Sequence, residues 1–243
     1  MDISFLPATL AEHGYAMVEP LLRPEEVEAF RASLGEIPPG ERRGGLRDAL
    51  RRIPALQRCA FDPRILGLAE SVLGAGARPV KGTVFDKTSA ANWKVPWHQD
   101  LTICVERRIE VEGFGPWSVK EGIVHVQPPA EILEQVLAIR IHLDDAGPDN
   151  GALRVLPGTH RSGRLAEAEI ERLRGETPEV VCGVRAGGMM LMRPLLLHAS
   201  SPCLRPVHRR VLHIEYSARQ LPGGLAWREY STARSAVAAA TVP

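Results

Sequence analysis

The pattern of apolar and polar residues changes near residue 79. Beyond that point, short apolar and β-branched runs alternate with Gly, Pro, Asn and Asp, as in the turns AGPDNGA and RAGG. Such runs predict β-strands bounded by turns. The clearest candidates are RPVKGTVFDKT, VLAIRIHLDD, ALRVLP, GMMLMRP and RRVLHIEYSA. Because no regular helices intervene between them, we expect an antiparallel sandwich or barrel.

The N-terminal part of the chain shows helical rather than strand periodicity. One helix is predicted over PEEVEAFRASL, ending before Pro38, because its apolar residues recur at helical spacing. A second is predicted over DPRILGLAESVLG, where Asp62 can cap the first turn. The basic stretch GERRGGLRDALRRIP has no interleaved aromatic residues, so a solvated loop with a short helix is favoured over an anion-binding patch. The expected fold is therefore mainly β, with flanking helices.

Net charge, cysteine pattern and the length of apolar runs limit the classes of function that the protein can have. The chain has 243 residues, 44% of them hydrophobic, and its 30 basic and 29 acidic residues leave a net charge of +1. This balance provides no electrostatic argument for nucleic acid or a membrane surface, so a small molecule is the expected partner, with the protein a monomer or homodimer. The four cysteines are scattered without a CxxC pair. The start has no signal-peptide pattern and no apolar run is long enough to span a membrane, so a cytoplasmic protein is expected.

Candidate chemistry centres on the stretch PWHQD. His98 and Asp100 are two residues apart, so on a strand both side chains point to the same face and can reach one metal ion. His198, at the end of an apolar run, is a candidate third ligand. Two histidines and one carboxylate leave three metal positions open, as in non-haem Fe(II) oxygenases. By spacing alone, the pairs His142/Asp144 and His213/Glu215 remain alternatives.

Three ordered motifs carry a family resemblance. They are WHQDL, then DNGALRVLPGTHRSG, then the segment from His198 to an arginine eleven positions later, Arg209. Together they resemble the phytanoyl-CoA dioxygenase family of Fe(II)- and 2-oxoglutarate-dependent oxygenases. The resemblance implies a single domain over 1–243 with a double-stranded β-helix (jelly-roll) core. Its expected parts are a helical N-terminal part packed on one sheet (1–78), the core (79–220), an insert or lid (102–137) and a C-terminal segment (221–243).

The resemblance also implies a ligand set and an activity. His98, Asp100 and His198 match the family's metal-binding positions, which makes His142 and Asp144 core, loop or substrate-facing residues on a later strand. The cofactors implied are Fe(II), 2-oxoglutarate and O2. The expected reaction is hydroxylation of a small organic substrate with release of succinate and CO2. Because Asp100 is a carboxylate, halogenation is disfavoured, whereas desaturation or ring formation stays open.

Contacts to 2-oxoglutarate are also implied by the family's positions. Arg209 matches the residue that binds the distal carboxylate, and Ser200, Arg140 and Thr83 match pocket positions. For Arg140, an internal Asp or Glu is an equally weighted partner. Lys87 is expected to face water rather than substrate. Two other functions remain open: a cupin-like isomerase using zinc or manganese on the same residues, and a ligand-binding jelly roll without activity.

Overall fold

The computed structural model describes residues 2–35, 45–88, 91–204 and 208–229. The predicted helix end at Pro38, the first part of the basic stretch and most of the C-terminal segment lie outside these residues. Seven α-helices are described: α1 Leu6–His13, α2 Pro24–Leu34, α3 Ala49–Arg52, α4 Pro54–Ala60, α5 Pro63–Leu73, α6 Ala130–Leu133 and α7 Glu167–Glu176. None of these described helices is long and apolar enough to cross a membrane.

The described strands account for the predicted β-rich part of the chain. They are β1 Tyr15–Val18, β2 Arg78–Lys87, β3 Val95–His98, β4 Ile103–Val105, β5 Trp117–Lys120, β6 Ile123–Val126, β7 Val136–His142, β8 Leu153–Val155, β9 Val180–Cys182, β10 Met189–Met192, β11 His198–Ser200 and β12 Arg209–Ser217. All five predicted β-runs contain one of them. The helices predicted in PEEVEAFRASL and DPRILGLAESVLG are α2 and α5, and Asp62 accepts a hydrogen bond from the Arg64 backbone at 2.9 Å, as expected of a cap.

The strands form three antiparallel sheets. The major sheet has the order β1-β10-β7-β12-β2, the minor sheet β3-β11-β8-β9, and a small third sheet β4-β6-β5. Ala138 and Met190 of the major sheet pack with Leu153 and Val155 of the minor sheet in one apolar cluster. These two sheets therefore face each other and enclose the interior of the barrel.

The outer face of the major sheet packs against the N-terminal helices. Side chains at alternate positions of β7 and β12, including Ile139, Ile141, Leu212 and Ile214, join buried leucines of the helices in the largest apolar cluster. The Tyr216 hydroxyl donates a hydrogen bond to the Ala60 carbonyl at 3.0 Å and links β12 to α4. This packing matches the expected placement of the helices on one sheet.

The stretch 102–137 has structure of its own. It contains the whole third sheet and α6, and an apolar cluster including Ile103, Val126 and Leu133 joins it to Trp227 near the C-terminal end. The family resemblance predicts an insert here, and the sequence pattern predicts no strands within it. Its strands are only three or four residues long, too short for an alternation pattern to stand out.

Candidate functional site

Strands β3 and β11 bring the three predicted metal ligands together. His98 closes β3 and His198 opens β11, and the two residues are direct partners in the antiparallel pairing. Asp100 follows β3 and donates its backbone N–H to the Pro194 carbonyl at 2.9 Å. One potential ligand atom from each of the three side chains lies within 4.8 Å of the other two. No other group of three possible ligands of this kind occurs among the described residues.

Both histidines are oriented by backbone carbonyls. His98 Nδ1 lies 2.9 Å from the Pro96 carbonyl, and His198 Nδ1 lies 2.9 Å from the Leu196 carbonyl. A carbonyl can only accept, so each Nδ1 carries the proton and each Nε2 presents a lone pair. Each Nε2 is 3.7 Å from a different oxygen of Asp100. The arrangement has the backbone-held imidazoles that metal sites require.

The electrostatics of the cluster also suit a cation. Burial lowers the pKa of His198 to about 4, against the opposing effect of Asp100, so the ring is neutral near pH 7. Burial would raise the pKa of Asp100, but His198 and other neighbouring groups hold it well below its usual range. A neutral His198 and an ionised Asp100 are in the protonation states in which these side chains bind metal.

The residue between the first two ligands points away from the cluster. Gln99 donates from Nε2 to the carbonyls of Gly163 and Leu195 at 2.8 and 2.7 Å, and its Oε1 accepts from the Leu165 backbone at 2.9 Å. These contacts satisfy the side chain and connect the loop after β3 to the segment before α7. Gln99 is therefore not a candidate metal ligand.

The rival pairs have other partners. Asp144 accepts two hydrogen bonds from the Arg210 side chain, at 2.8 and 2.9 Å, and lies 3.1 Å from Arg31. Glu215 is 2.6 Å from the Lys81 ammonium and 3.4 Å from His213 Nε2. Both carboxylates are therefore neutralised by basic side chains. Neither pair forms a three-residue ligand group in the part of the chain that the structure describes.

The three ligands line an inner cavity of about 220 Å³. The other residues of its lining that matter here are Lys87, Arg140, Ser200 and Arg209. Lys87, Arg140 and Arg209 are buried, with exposed fractions of 0%, 5% and 2%. None of the three has an ion-pair partner among the described residues. Three buried cations facing one cavity favour an anionic ligand there.

Hydrogen bonds fix the cationic end of the inner cavity. Arg209 Nη1 donates to the Gly151 carbonyl at 2.7 Å, whereas its Nε has no partner among the described atoms. Lys87 donates to Ser200 Oγ at 2.9 Å and to the Ser201 carbonyl at 2.8 Å. Burial, followed by the nearby Arg209, lowers the pKa of Lys87 to about 8. A carboxylate ligand would accept a hydrogen bond from the unused Nε–H of Arg209 and stabilise the charged form of Lys87.

Arg140 and Thr83 lie between the two ends of the inner cavity. Arg140 Nη1 is 2.8 Å from His213 Nδ1, and the guanidinium carbon is 5.6 Å from the centre of the Phe85 ring. The alternative prediction, an internal Asp or Glu partner for Arg140, is wrong for the described residues. The neutral imidazole of His213 takes that place. Thr83 pairs in register with His213 and lines the same cavity. Their contact with 2-oxoglutarate stays a prediction.

The position of Lys87 differs from the sequence-based expectation that it faces water. Its side chain is buried beside Ser200. Alternation along β2 offered a signal, since Thr83 and Lys87 are four residues apart and share a face. His213, which by spacing is only a rival ligand, lines the inner cavity together with the triad.

Comparisons with known proteins agree with this geometry. The sequence model of the phytanoyl-CoA dioxygenase (PhyH) family matches residues 10–211. Ectoine dioxygenase of Nocardia farcinica is 25% identical over 170 residues, a match that covers 64% of this chain and 50% of the relative. The match thus spans about half the length of that curated relative.

Solved structures share the fold. The 2-oxoglutarate-dependent carbocyclase SnoK from nogalamycin biosynthesis superimposes with a TM-score of 0.69 at 20% identity, covering 96% of this chain and 90% of SnoK. EctD from S. alaskensis, solved with 2-oxoglutarate and 5-hydroxyectoine, gives 0.68 at 19% identity, covering 89% of this chain and 76% of EctD. HygX from Streptomyces hygroscopicus, with nickel and 2-oxoglutarate bound, gives 0.64 at 19% identity, covering 89% and 87% of the respective chains.

These likenesses confirm the predicted jelly-roll fold. The family match includes β3, β11 and most of the barrel, and therefore all three candidate metal ligands and Arg209. It covers well over half of the chain, and the protein accordingly belongs to the phytanoyl-CoA dioxygenase family.

Proposed function

We propose that the protein is an Fe(II)- and 2-oxoglutarate-dependent dioxygenase that hydroxylates a small organic substrate. The observation that carries the proposal is the composition of the inner cavity. Two imidazoles and a carboxylate face it at one end, and buried cations without described ion-pair partners face it at the other. A metal chelated by one end of a dicarboxylate, with its far carboxylate on a cation, satisfies both ends at once.

The chain's own residues divide the work. His98, Asp100 and His198 would hold the iron through Nε2, a carboxylate oxygen and Nε2. Arg209, Ser200 and Lys87 would bind the distal carboxylate of 2-oxoglutarate, with Arg209 supplying the unused Nε–H. Iron with bound 2-oxoglutarate supplies the oxidising chemistry, with succinate and CO2 as products. Arg140 and Thr83 would complete the wall between these ends.

Exclusion of water is the second contribution of the protein. The inner cavity is lined by apolar side chains as well as the polar groups, among them Phe85, Trp93 and Leu153. An apolar lining strengthens the electrostatic hold on a bound dicarboxylate, because the local dielectric constant falls. It also protects a reactive centre from side reactions with solvent.

A metal-dependent isomerase is the main alternative, since zinc or manganese can bind the same triad and fold does not dictate function. The buried cations favour the oxygenase, because an isomerase has no requirement for a dicarboxylate co-substrate. The reaction outcome is proposed as hydroxylation. The structural neighbours include a carbocyclase and an epimerase. Ring formation and epimerisation are therefore the other outcomes to test.

An anaerobic titration tests the proposal. Adding Fe(II) and then 2-oxoglutarate to the protein is expected to produce the visible charge-transfer band of a metal-chelated 2-oxo acid. Asp100→Asn should abolish this band, whereas Asp144→Asn, which alters the rival HxD pair, should keep it. If wild-type protein gave no band, the oxygenase assignment would be wrong. A band of equal strength and affinity in Asp100→Asn would instead remove Asp100 from the ligand set.

A further inference from the structure

A second cavity adjoins the inner one. This outer cavity has a volume of about 150 Å³. Lys81, Thr83 and Phe85, at alternate positions of β2, line both cavities. The rest of its lining includes Asp48, Thr102 and Glu229, from separate parts of the chain. Because Lys81, Thr83 and Phe85 line both cavities, the outer cavity adjoins the cavity that holds the metal ligands.

Ion pairs already neutralise the charged side chains of this lining. Lys81 is 2.6 Å from Glu215, and Arg228 is 2.7 Å from Asp48. Arg47, which also lines the cavity, is paired with Glu121. A charged ligand group would have to break one of these pairs or remain uncompensated, and both cost free energy.

Two further charged residues do not alter this balance. Lys120 is exposed on β5, where water screens its charge. Glu229 is buried beside Asp48 and hydrogen-bonds to it; burial, followed by Asp48, raises its pKa to about 7. The Glu229 carboxyl group can thus share a proton with Asp48, so it does not require a positively charged group on the ligand.

The lining nevertheless offers many hydrogen-bonding groups. Thr83 and Thr102 present hydroxyls, Lys81 has ammonium hydrogens beyond the one directed to Glu215, and Asp48 and Glu229 present carboxyl oxygens. An apolar ligand would cover these groups without replacing their water contacts, at a cost for each. Hydroxyl groups both donate and accept, so they can satisfy this mixed lining.

The volume limits the size of the bound unit. A protein cavity of about 150 Å³ holds one six-membered ring, as an engineered cavity of that size does with benzene. The outer cavity has the same volume but a mixed lining, in which polar groups stand beside Phe85 and Ile123. One polar ring therefore matches it in size and in hydrogen-bonding character.

We propose that the outer cavity binds the primary substrate through one ring-sized, uncharged, hydroxyl-rich unit of the sugar or cyclitol type. This inference rests on the proposed function, because it assigns the substrate class of the same active site. It disfavours acyl-coenzyme A and free carboxylic acids, whose charges would lack partners in the described lining.

Direct binding tests the class without relying on turnover. Saturation-transfer NMR on the full chain, with Fe(II) and 2-oxoglutarate under anaerobic conditions, would compare matched rings. The panel is myo-inositol and methyl glucoside as neutral polyols, glucuronate and glucosamine as charged rings, cyclohexanol as a ring with a single hydroxyl, and hexanoyl-coenzyme A. The neutral polyols are expected to bind at least about tenfold more tightly than the other members.

A pair of variants locates the binding. Glu121→Gln releases Arg47 in the cavity lining. It should shift the ratio of glucuronate to myo-inositol affinity upward by roughly threefold, the size expected for one partly exposed charge. Glu110→Gln is the matched control, because it likewise releases an arginine, Arg108, but Arg108 is more exposed and does not line the outer cavity. Its ratio should not change.

The outcomes separate this inference from the proposed function. A charge-transfer band together with preferential binding of a charged ring, cyclohexanol or hexanoyl-coenzyme A would overturn the substrate class alone. The same conclusion would follow if neither neutral polyol bound, or if both glutamate variants shifted the ratio equally. Absence of the band would overturn the proposed function itself.

Discussion

The two faces of the major sheet contrast sharply although they belong to the same strands. On the helix-facing side, β7 and β12 present Ile139, Ile141, Leu212 and Ile214 to an apolar cluster. On the barrel side, the residues that alternate with them along the strands include Arg140, His213 and Glu215, all buried. Alternation along a strand allows one segment to serve both purposes, since neighbouring side chains point in opposite directions.

This contrast separates stability from function. The apolar face gains free energy from burial, whereas each charged group on the barrel face is desolvated at a cost that only a suitable partner offsets. Natural proteins retain buried charged groups, despite their cost in stability, where binding of a ligand requires them. Changes on the helix face should therefore reduce stability without altering chemistry, and changes on the barrel face should do the reverse.

The largest expected effect is on the metal ligands. His98→Ala, Asp100→Ala or His198→Ala should each reduce substrate-dependent succinate formation to background, because one ligand of three is lost. Far-UV circular dichroism should show the fold intact, and succinate is measured chromatographically. Retained turnover in any one of the three would remove that residue from the ligand set.

On the opposite face, Leu212→Ala should destabilise the protein by about 2–5 kcal/mol, since it leaves a cavity against the helices. Urea unfolding measures the loss. Activity per folded molecule should stay at the wild-type value. A fall in that specific activity without loss of stability would mean that the two faces are not separable as we describe.

Arg209→Ala should raise the 2-oxoglutarate concentration required for half-maximal turnover by about a hundredfold, since a buried charged contact is removed. Arg210→Ala is the matched control, because the neighbouring arginine binds Asp144 instead. It should alter stability more than the 2-oxoglutarate requirement. Equal requirements in wild type and Arg209→Ala would transfer the carboxylate-binding role to another residue.

Lys87→Met should weaken 2-oxoglutarate binding by about tenfold, with the exposed Lys94→Met as control. Since the pKa of Lys87 is lowered to about 8, its positive charge is lost as pH rises through that value. Affinity for 2-oxoglutarate, measured by anaerobic titration, should fall over the same range. Lys87→Met should remove this part of the pH dependence, and an unchanged profile would exclude Lys87 as its source.

The same pKa shift makes a stability prediction of defined sign. The ordinary value for Lys87 is 10.5, so between about pH 8 and 10.5 the unfolded chain holds a proton that the folded chain has released. The unfolded state binds more protons in this window, and the contribution of Lys87 to the free energy of unfolding therefore increases with pH. The difference between wild type and Lys87→Met, in urea unfolding at several pH values, isolates that contribution.

The sequence by itself determined the strand-rich core, the cap of α5 at Asp62 and, through the ordered motifs, the choice of His98, Asp100 and His198 for the metal. These features depend on local propensity or on motif order, which a linear chain displays directly. The spacing of HxD pairs alone did not choose among them. The motif order did, and the partners found for Asp144 and Glu215 are consistent with that choice.

Only the tertiary structure decided the rest. The burial of Lys87, the His213 partner of Arg140 and the ion pairs around the outer cavity each join residues far apart in the chain. The cost of burying a charge depends on which groups surround it after folding, and no local pattern encodes that environment. The short strands within 102–137 likewise become recognisable through their pairing with one another.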